Sequence, residues 1–302
     1  MKQSGKTGGP NRRAVLTGFS ATVIAGREQA MPPAFPVGVQ LWTLDAALRE
    51  NLDGGLAALR SLGVTAVETA GLYGHSAESF AAALSRAGLT CLACHAPQSA
   101  LRGDPQRQID NAAALGARHL VCASPQPSHP VRAGADWAEG IAEAMSLADW
   151  KRTADLVNRV GLACAPSGLR AAYHNHAFEF TRYDGRRALD VIVGSTDAGL
   201  VDLELDVGWT FAAGADPVSV MRSFNDRIRL LHLKDLRPDG QGGWRSRPLG
   251  SGVIDWPPVL RAARELDIDA AFVEQDPPFD VSPLESLRAS LAFLGPPAVA
   301  AT

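Results

Sequence analysis

Eight short apolar runs, each followed by a stretch with helical patterning, recur along the chain from Pro36 onward, and this alternation constrains the fold more than any single motif. The runs are VGVQLW, VTAVE, LTCLAC, RHLVCA, LRAAYHN, LVDLELD, RIRLLHLK and DAAFVE. Each is rich in Val, Leu or Ala and mostly apolar on both faces, the pattern of a parallel strand covered on both sides. The intervening stretches carry helix punctuation. SAESFAAALSRAG opens on Ser76 and closes on Gly88, and LDAALRENLDGGLAALRSLG closes on Gly63, as N-caps and C-caps require. One crossover, DGRRALDVIVGSTDAG, has room only for a short helix. Eight strands alternating with about eight helices match the (β/α)8 barrel, which needs ~250 residues. The competing α/β design, a doubly wound open sheet, carries a glycine-rich turn after its first strand. Here that strand runs into QLWTLDAAL, which has no glycine. The expectation is a single-domain α/β (β/α)8 TIM barrel over residues 36–296, with 297–302 as a tail.

The first 35 residues stand apart. The paired Arg12 and Arg13 precede a short apolar run, Ala14 to Ala25, followed by the small-residue stretch EQAMPPA. These are the parts of an export signal, and N-R-R-A-V-L-T resembles the twin-arginine type. The run is too short to span a bilayer, which takes about 20 apolar residues, so no stable membrane insertion is expected. The location read from this segment is periplasmic, with a cytoplasmic extension as the alternative. A formal net charge of −3 provides no broad basic field for nucleic acid. The four cysteines, Cys91, Cys94, Cys122 and Cys164, sit in or beside apolar runs. With a single C-x-x-C and no second pair, they read as small buried hydrophobes rather than as a zinc site.

Barrels place their active sites at the C-terminal ends of their strands, and there the sequence collects polar residues. The first strand ends at Gln40 and Trp42, the second at Glu68, the third at His95. The fifth ends at His174, Asn175 and His176, the sixth at Asp206, the seventh at His232, Lys234 and Asp235, the eighth at Glu274 and Gln275. In YHNHAFEF, His174 and His176 share a face if the segment is extended, since side chains alternate with period two, and Glu179 follows. Asp, His and Glu closing three successive strands point to one shared site with metal-ligand chemistry.

Taken together, YHNHAFEF, LELDVGW, LLHLKD, PLGSGVIDW and FVEQD resemble the xylose isomerase-like barrel superfamily of sugar phosphate isomerases and epimerases, over about Val37 to Leu294. The resemblance implies one divalent ion (Mn²⁺, Mg²⁺, Co²⁺ or Zn²⁺) held by residues from strands five to eight. Asp206, His232 and Glu274 match three of the four ligands. His174 stands where relatives carry a glutamate, and imidazole also suits such ions. Glu179 is the alternative fourth ligand if its loop folds back. D-x-x-W at Asp206–Trp209 departs from the D-x-x-H of many relatives.

The resemblance further implies a small carbohydrate substrate and proton abstraction beside a carbonyl through a metal-stabilised enediolate. Glu274, His174 and Glu179 are the candidate catalytic groups, and a general base of this kind needs reach of about 3 Å. Trp42, Glu68, His95, His176, Trp209 and Lys234 are candidate substrate contacts. Lys234 and Asp235 equally fit a surface pair, and Arg245 and Arg247 solvated loop charges. The main expectation is a metal-dependent sugar isomerase or epimerase. A histidine opposite Glu274 also suits a lyase or dehydratase acting on a keto sugar or keto inositol by β-elimination. Endonuclease chemistry conflicts with the acidic charge, and a non-catalytic sugar-binding barrel leaves the ligand set unexplained. Self-association into a homo-oligomer stays open.

Overall fold

The computed structural model describes residues 33–295. The export-signal reading of the N-terminal segment and the tail 297–302 lie outside the described residues. The eight expected strands form as β1 (Val37–Gln40), β2 (Ala66–Thr69), β3 (Thr90–Ala96), β4 (His119–Cys122), β5 (Arg170–His174), β6 (Val201–Asp206), β7 (Ile228–Leu233) and β8 (Ala270–Val273). They pair in parallel, each with its neighbours in sequence, and β8 closes on β1. The weak crossover between β5 and β6 holds the short helix Ala188–Ser195. Three helices went unread in the sequence: Gln98–Gly103 after β3, Trp137–Ala144 before the long helix Leu147–Cys164, and Val207–Ala212 directly after β6. The run VGVQLW breaks at Gln40, and Leu41–Leu44 winds into a 3₁₀ turn. No helix among the described residues is long and apolar enough to cross a membrane.

Two apolar cores follow from the two faces of the strands. Outside the barrel, strand residues pack on helix residues such as Leu59, Phe80, Trp150, Val160 and Trp256. Inside, Ala93, Val121, Ala172, Leu230, Ala270 and Phe272 form a separate buried cluster. Period two then fixes what lies above and below this plug. Two residues further along their strands, His95, His174, His232 and Glu274 face the same interior, at the C-terminal end. Two residues earlier, His119 and Arg170 turn inward and pair with Asp202, at 3.3 Å and 2.6 Å. Asp202, Glu204 and Asp206 therefore share the inward face of β6.

Two irregularities are needed for this pattern. Leu203 pairs with Ile228 but Glu204 with Leu230, so Arg229 is an extra residue in β7. The second lies in β3. Val67 pairs with Cys91 but Glu68 with Ala93, so Leu92 is an extra residue in β3. Such a bulge resets the alternation. Ala93 and His95 are thereby turned inward, while Cys91 and Cys94 both join the outer core with their sulfurs 3.6 Å apart. All four cysteines are buried and free, as the sequence suggested.

Candidate active site

The inward side chains at the barrel's C-terminal end form a dense buried network. His95 Nε2 lies 2.7 Å from Glu204 Oε2 and 3.2 Å from Glu68 Oε1. His174 Nδ1 is 3.1 Å from Glu204 Oε2. His232 bridges the two halves: Nε2 is 2.6 Å from Glu68 Oε2, and Nδ1 is 3.0 Å from Glu274 Oε2 and 3.8 Å from Asp206 Oδ2. Lys234, almost fully buried, reaches Asp276 at 2.7 Å, Glu274 at 2.8 Å and Asp206 at 3.4 Å.

Two donor sets emerge, sharing His232. One is His95, His174, Glu204 and His232; the other is Asp206, His232 and Glu274, and within each the candidate ligand atoms lie within 4.8 Å of one another. The proposed quartet of His174, Asp206, His232 and Glu274 is thus divided between the sets. The donor chemistry, imidazole plus carboxylate, suits a divalent transition ion. Unused capacity supports the fit. Asp206 caps the following helix with Oδ1, which accepts from Trp209 N at 2.7 Å, while Oδ2 makes no hydrogen bond and has only the longer ion-pair contacts to Lys234 and His232. Glu204 Oε1 is likewise buried without one. Native proteins rarely leave such atoms unsatisfied, and a cation would satisfy them. Asn175 steadies the set from behind, its Oδ1 accepting from Asp206 N at 3.1 Å.

Charge is sorted sharply across the network. Burial pushes Glu274 toward the neutral form, but Lys234 and His232 outweigh it and hold the carboxyl well below its usual range. Burial also opposes charge on His95, yet the carboxylates of Glu68 and Glu204 lift it to about 10. Burial and the nearby His232 lower His174 to about 3, and burial with His174 lowers His176 as well. Asp206 is lifted to about 6 by burial. The carboxylates thus favour the charged form of His95, and burial favours the neutral forms of His174 and His176.

A cavity of about 640 Å³ opens over this network. His95, His174, His176, Trp209, Lys234 and Glu274 line it, as does Trp42 at the mouth. Glu68 does not. It is fully buried, taking a hydrogen bond from Gln40 Nε2 at 2.8 Å, and supports His95 and His232 from below. Glu179 belongs to neither donor set. Its oxygens accept from Tyr173 Oη and His176 N, both at 2.7 Å, and burial raises it to about 8. Of the two readings of Lys234 and Asp235, the surface pair does not hold, because both are buried, and Lys234 lines the cavity. Asp235 instead anchors the loop Pro248–Trp256 (PLGSGVIDW), accepting from the backbone of Gly250, Gly252 and Ile254 and from Trp256 Nε1. A Cβ at Gly252 would meet Asp235 Oδ1 at 2.1 Å, so only glycine fits there. Arg245 and Arg247, with Arg237, converge on Asp280 rather than standing free.

Three contributors escaped the sequence reading. Glu204 was legible in the alternation D-x-E-x-D of β6, which puts three carboxylates on one face. Asp276 lies just past the last strand, and Trp137 on a helix whose pattern went unrecognised; neither had a spacing signal.

A closed parallel barrel with buried imidazoles and carboxylates converging beneath a cavity at its C-terminal end defines a metal-using TIM-barrel protein of the catalytic kind. More narrowly, the chain belongs to the xylose isomerase-like TIM barrel family, whose model matches residues 56–295. Among curated proteins it is 30% identical over 156 residues to an inosose dehydratase of Geobacillus kaustophilus, covering 46% of this chain and 50% of that one. It is 28% identical over 154 residues to an inosose dehydratase of Clostridium botulinum, covering 45% and 51%. The matches thus span about half the length of these relatives. Among solved structures, a sugar phosphate isomerase/epimerase from Parabacteroides distasonis superposes with a TM-score of 0.70 at 22% identity, covering 89% of this chain and 97% of that one.

Proposed function

We propose that the protein is a metal-dependent lyase that removes a β-substituent, such as water, from a keto-inositol or keto-sugar ring. The observation that carries this reading over isomerisation is the asymmetry of the cavity wall. Its carboxylates, Glu274 and Asp276, come from the end of β8, and its imidazoles, His95, His174 and His176, from β3 and β5. Returning a proton to the opposite face would ask an imidazole to act as the second base, because no other carboxylate lines the cavity among the described residues. Elimination needs one base and one acid. The similarity to inosose dehydratases supports the same choice.

The residues divide as follows. Asp206, His232 and Glu274 would hold the ion, with His174 beside His232 at a ring separation of 4.4 Å. A divalent ion held there would supply Lewis acidity toward the ring carbonyl, which makes the neighbouring C–H more acidic. Glu274 takes that proton. Lys234, 2.8 Å from Glu274, donates a hydrogen bond to the carbonyl oxygen as negative charge builds there. The C–O bond at the next carbon breaks with its electron pair on oxygen, and His95, flanked by the carboxylates of Glu68 and Glu204, supplies the proton that lets water leave. Neutral His176 hydrogen-bonds ring hydroxyls. No electrons enter or leave.

The test is product analysis with 2-keto-inositol and the Mn²⁺-loaded protein in D₂O. A product one water lighter supports the lyase. A product of unchanged skeleton carrying deuterium at the α-carbon would make it an isomerase or epimerase.

A further inference from the structure

We propose that the ring processed here is the keto ring of a glycoside, whose second ring rests on Trp42 and Trp137 at the cavity mouth; this rests on the lyase reading above. The first observation is size. At liquid water's share of about 30 Å³ per molecule, a cavity of about 640 Å³ holds on the order of twenty waters. A lone six-carbon ring displaces only a fraction of them. The second is the change in character along the cavity. Its floor is charged, with Lys234, Glu274 and His95, whereas its mouth presents Trp42 at 44% and Trp137 at 48% exposure. Two half-exposed tryptophans lining one cavity offer a ligand flat apolar rings to pack on.

Trp137 is also held in place. Its ring meets His176 edge-on at 4.9 Å and Phe178 at 5.2 Å, and His176 continues to Trp209 at 6.0 Å, over which Lys234 Nζ sits at 4.9 Å. An aromatic wall therefore runs unbroken from the rim to the reacting end. Such surfaces pack against the C–H face of a sugar or against an aryl ring. The floor addresses one ring and the rim a second.

The chemistry closes with this arrangement. In a pyranoside oxidised to a ketone at C3, the C2 hydrogen lies beside the carbonyl and the glycosidic oxygen is on the next carbon, C1. Transfer of the C2 proton to Glu274 breaks the bond from C1 to the glycosidic oxygen. The electron pair leaves on that oxygen, His95 protonates it, and the second ring departs as an alcohol. The first ring keeps a C1–C2 double bond conjugated to its ketone. No water is consumed and no oxidant is needed, so the preceding reaction must be oxidation of a ring hydroxyl to the ketone.

The experiment compares kcat/KM for 2-keto-inositol, the 3-keto form of phenyl glucoside and the 3-keto form of a disaccharide, in wild type, Trp42→Ala, Trp137→Ala and Trp137→Phe, with folding checked by circular dichroism. The expected result is a preference of roughly ten-fold or more for a glycoside over the single ring. Each alanine variant lowers that ratio by a similar factor, and Trp137→Phe restores it. Whichever glycoside is preferred identifies the second ring as aryl or sugar. Equal or better turnover of the single ring, or a ratio unmoved by both alanine variants, overturns the proposal. Should none of the three be turned over, the lyase reading fails by itself. Quenching of tryptophan fluorescence by intact phenyl glucoside then decides the second-ring site: saturable quenching lost in Trp137→Ala supports it, and no quenching refutes it.

Discussion

Asp235→Ala is the perturbation whose cost can be worked most directly from the structure. The Asp235 carboxylate is fully buried and accepts from the backbone N–H of Leu236, Gly250, Gly252 and Ile254 and from Trp256 Nε1, at 2.8–3.3 Å. Each such bond contributes about 1 kcal/mol net, and a buried donor left without a partner costs about 1–3 kcal/mol. Water entering the vacated space recovers part of the unpaired-donor cost, so losing the five bonds costs about 3–5 kcal/mol. Asn is no substitute, because its NH₂ would face donors whichever way it turned. With a urea m-value at the top of the usual range, about 3 kcal/mol/M, the unfolding midpoint falls by about 1 M or more. Equilibrium urea unfolding followed by far-UV circular dichroism measures it. A loss below about 1 kcal/mol would refute the account of how the Pro248–Trp256 loop is held.

Glu274→Gln keeps the side chain's shape but not its basicity, and kcat should fall by at least about 10² with the circular dichroism spectrum unchanged; near-wild-type turnover would remove Glu274 as the base. His95→Gln should impair product formation more than α-proton exchange in D₂O, and equal loss of both would remove His95 as the proton donor. Because Glu179 is raised to about 8 when folded from the usual 4.5, the folded state binds the extra proton between those values, and stability from this group falls as pH rises through that window; Glu179→Gln should flatten the thermal-stability profile there, and an unchanged slope would contradict the assignment. Replacing Arg12 and Arg13 with lysine should leave the precursor in the cytoplasm, and a wild-type protein found there with its N-terminus intact would count against export.

The barrel was legible because parallel strands buried on both faces leave a strong local record: every expected strand forms within a residue or two of its apolar run. Strand ends carried Asp206, His232, Glu274 and His174 into one network because period two and the barrel's closure leave them no other direction. What could not be read was vertical position. Glu68 and His95 both end strands, yet Glu68 lies beneath the cavity floor and His95 faces the cavity, a difference set by Gln40 and the β3 bulge at Leu92. The bulge itself has no signal in LTCLACHA. Asp235 beside Lys234 left a surface pair and a role in the site equally open, because a charged pair after a strand is often a loop. The glycines of PLGSGVIDW, which let the backbone approach its carboxylate, carry their meaning only once the chain is folded back.

The account depends most on the ion and the elimination being one site. The decisive measurement is metal content by elemental analysis alongside turnover of a keto-ring substrate, for wild type and Asp206→Ala. The account predicts one divalent ion per chain in the wild type, and loss of both metal and product formation in the variant. Stoichiometric metal retained in Asp206→Ala, or undiminished turnover by metal-free protein, would contradict it.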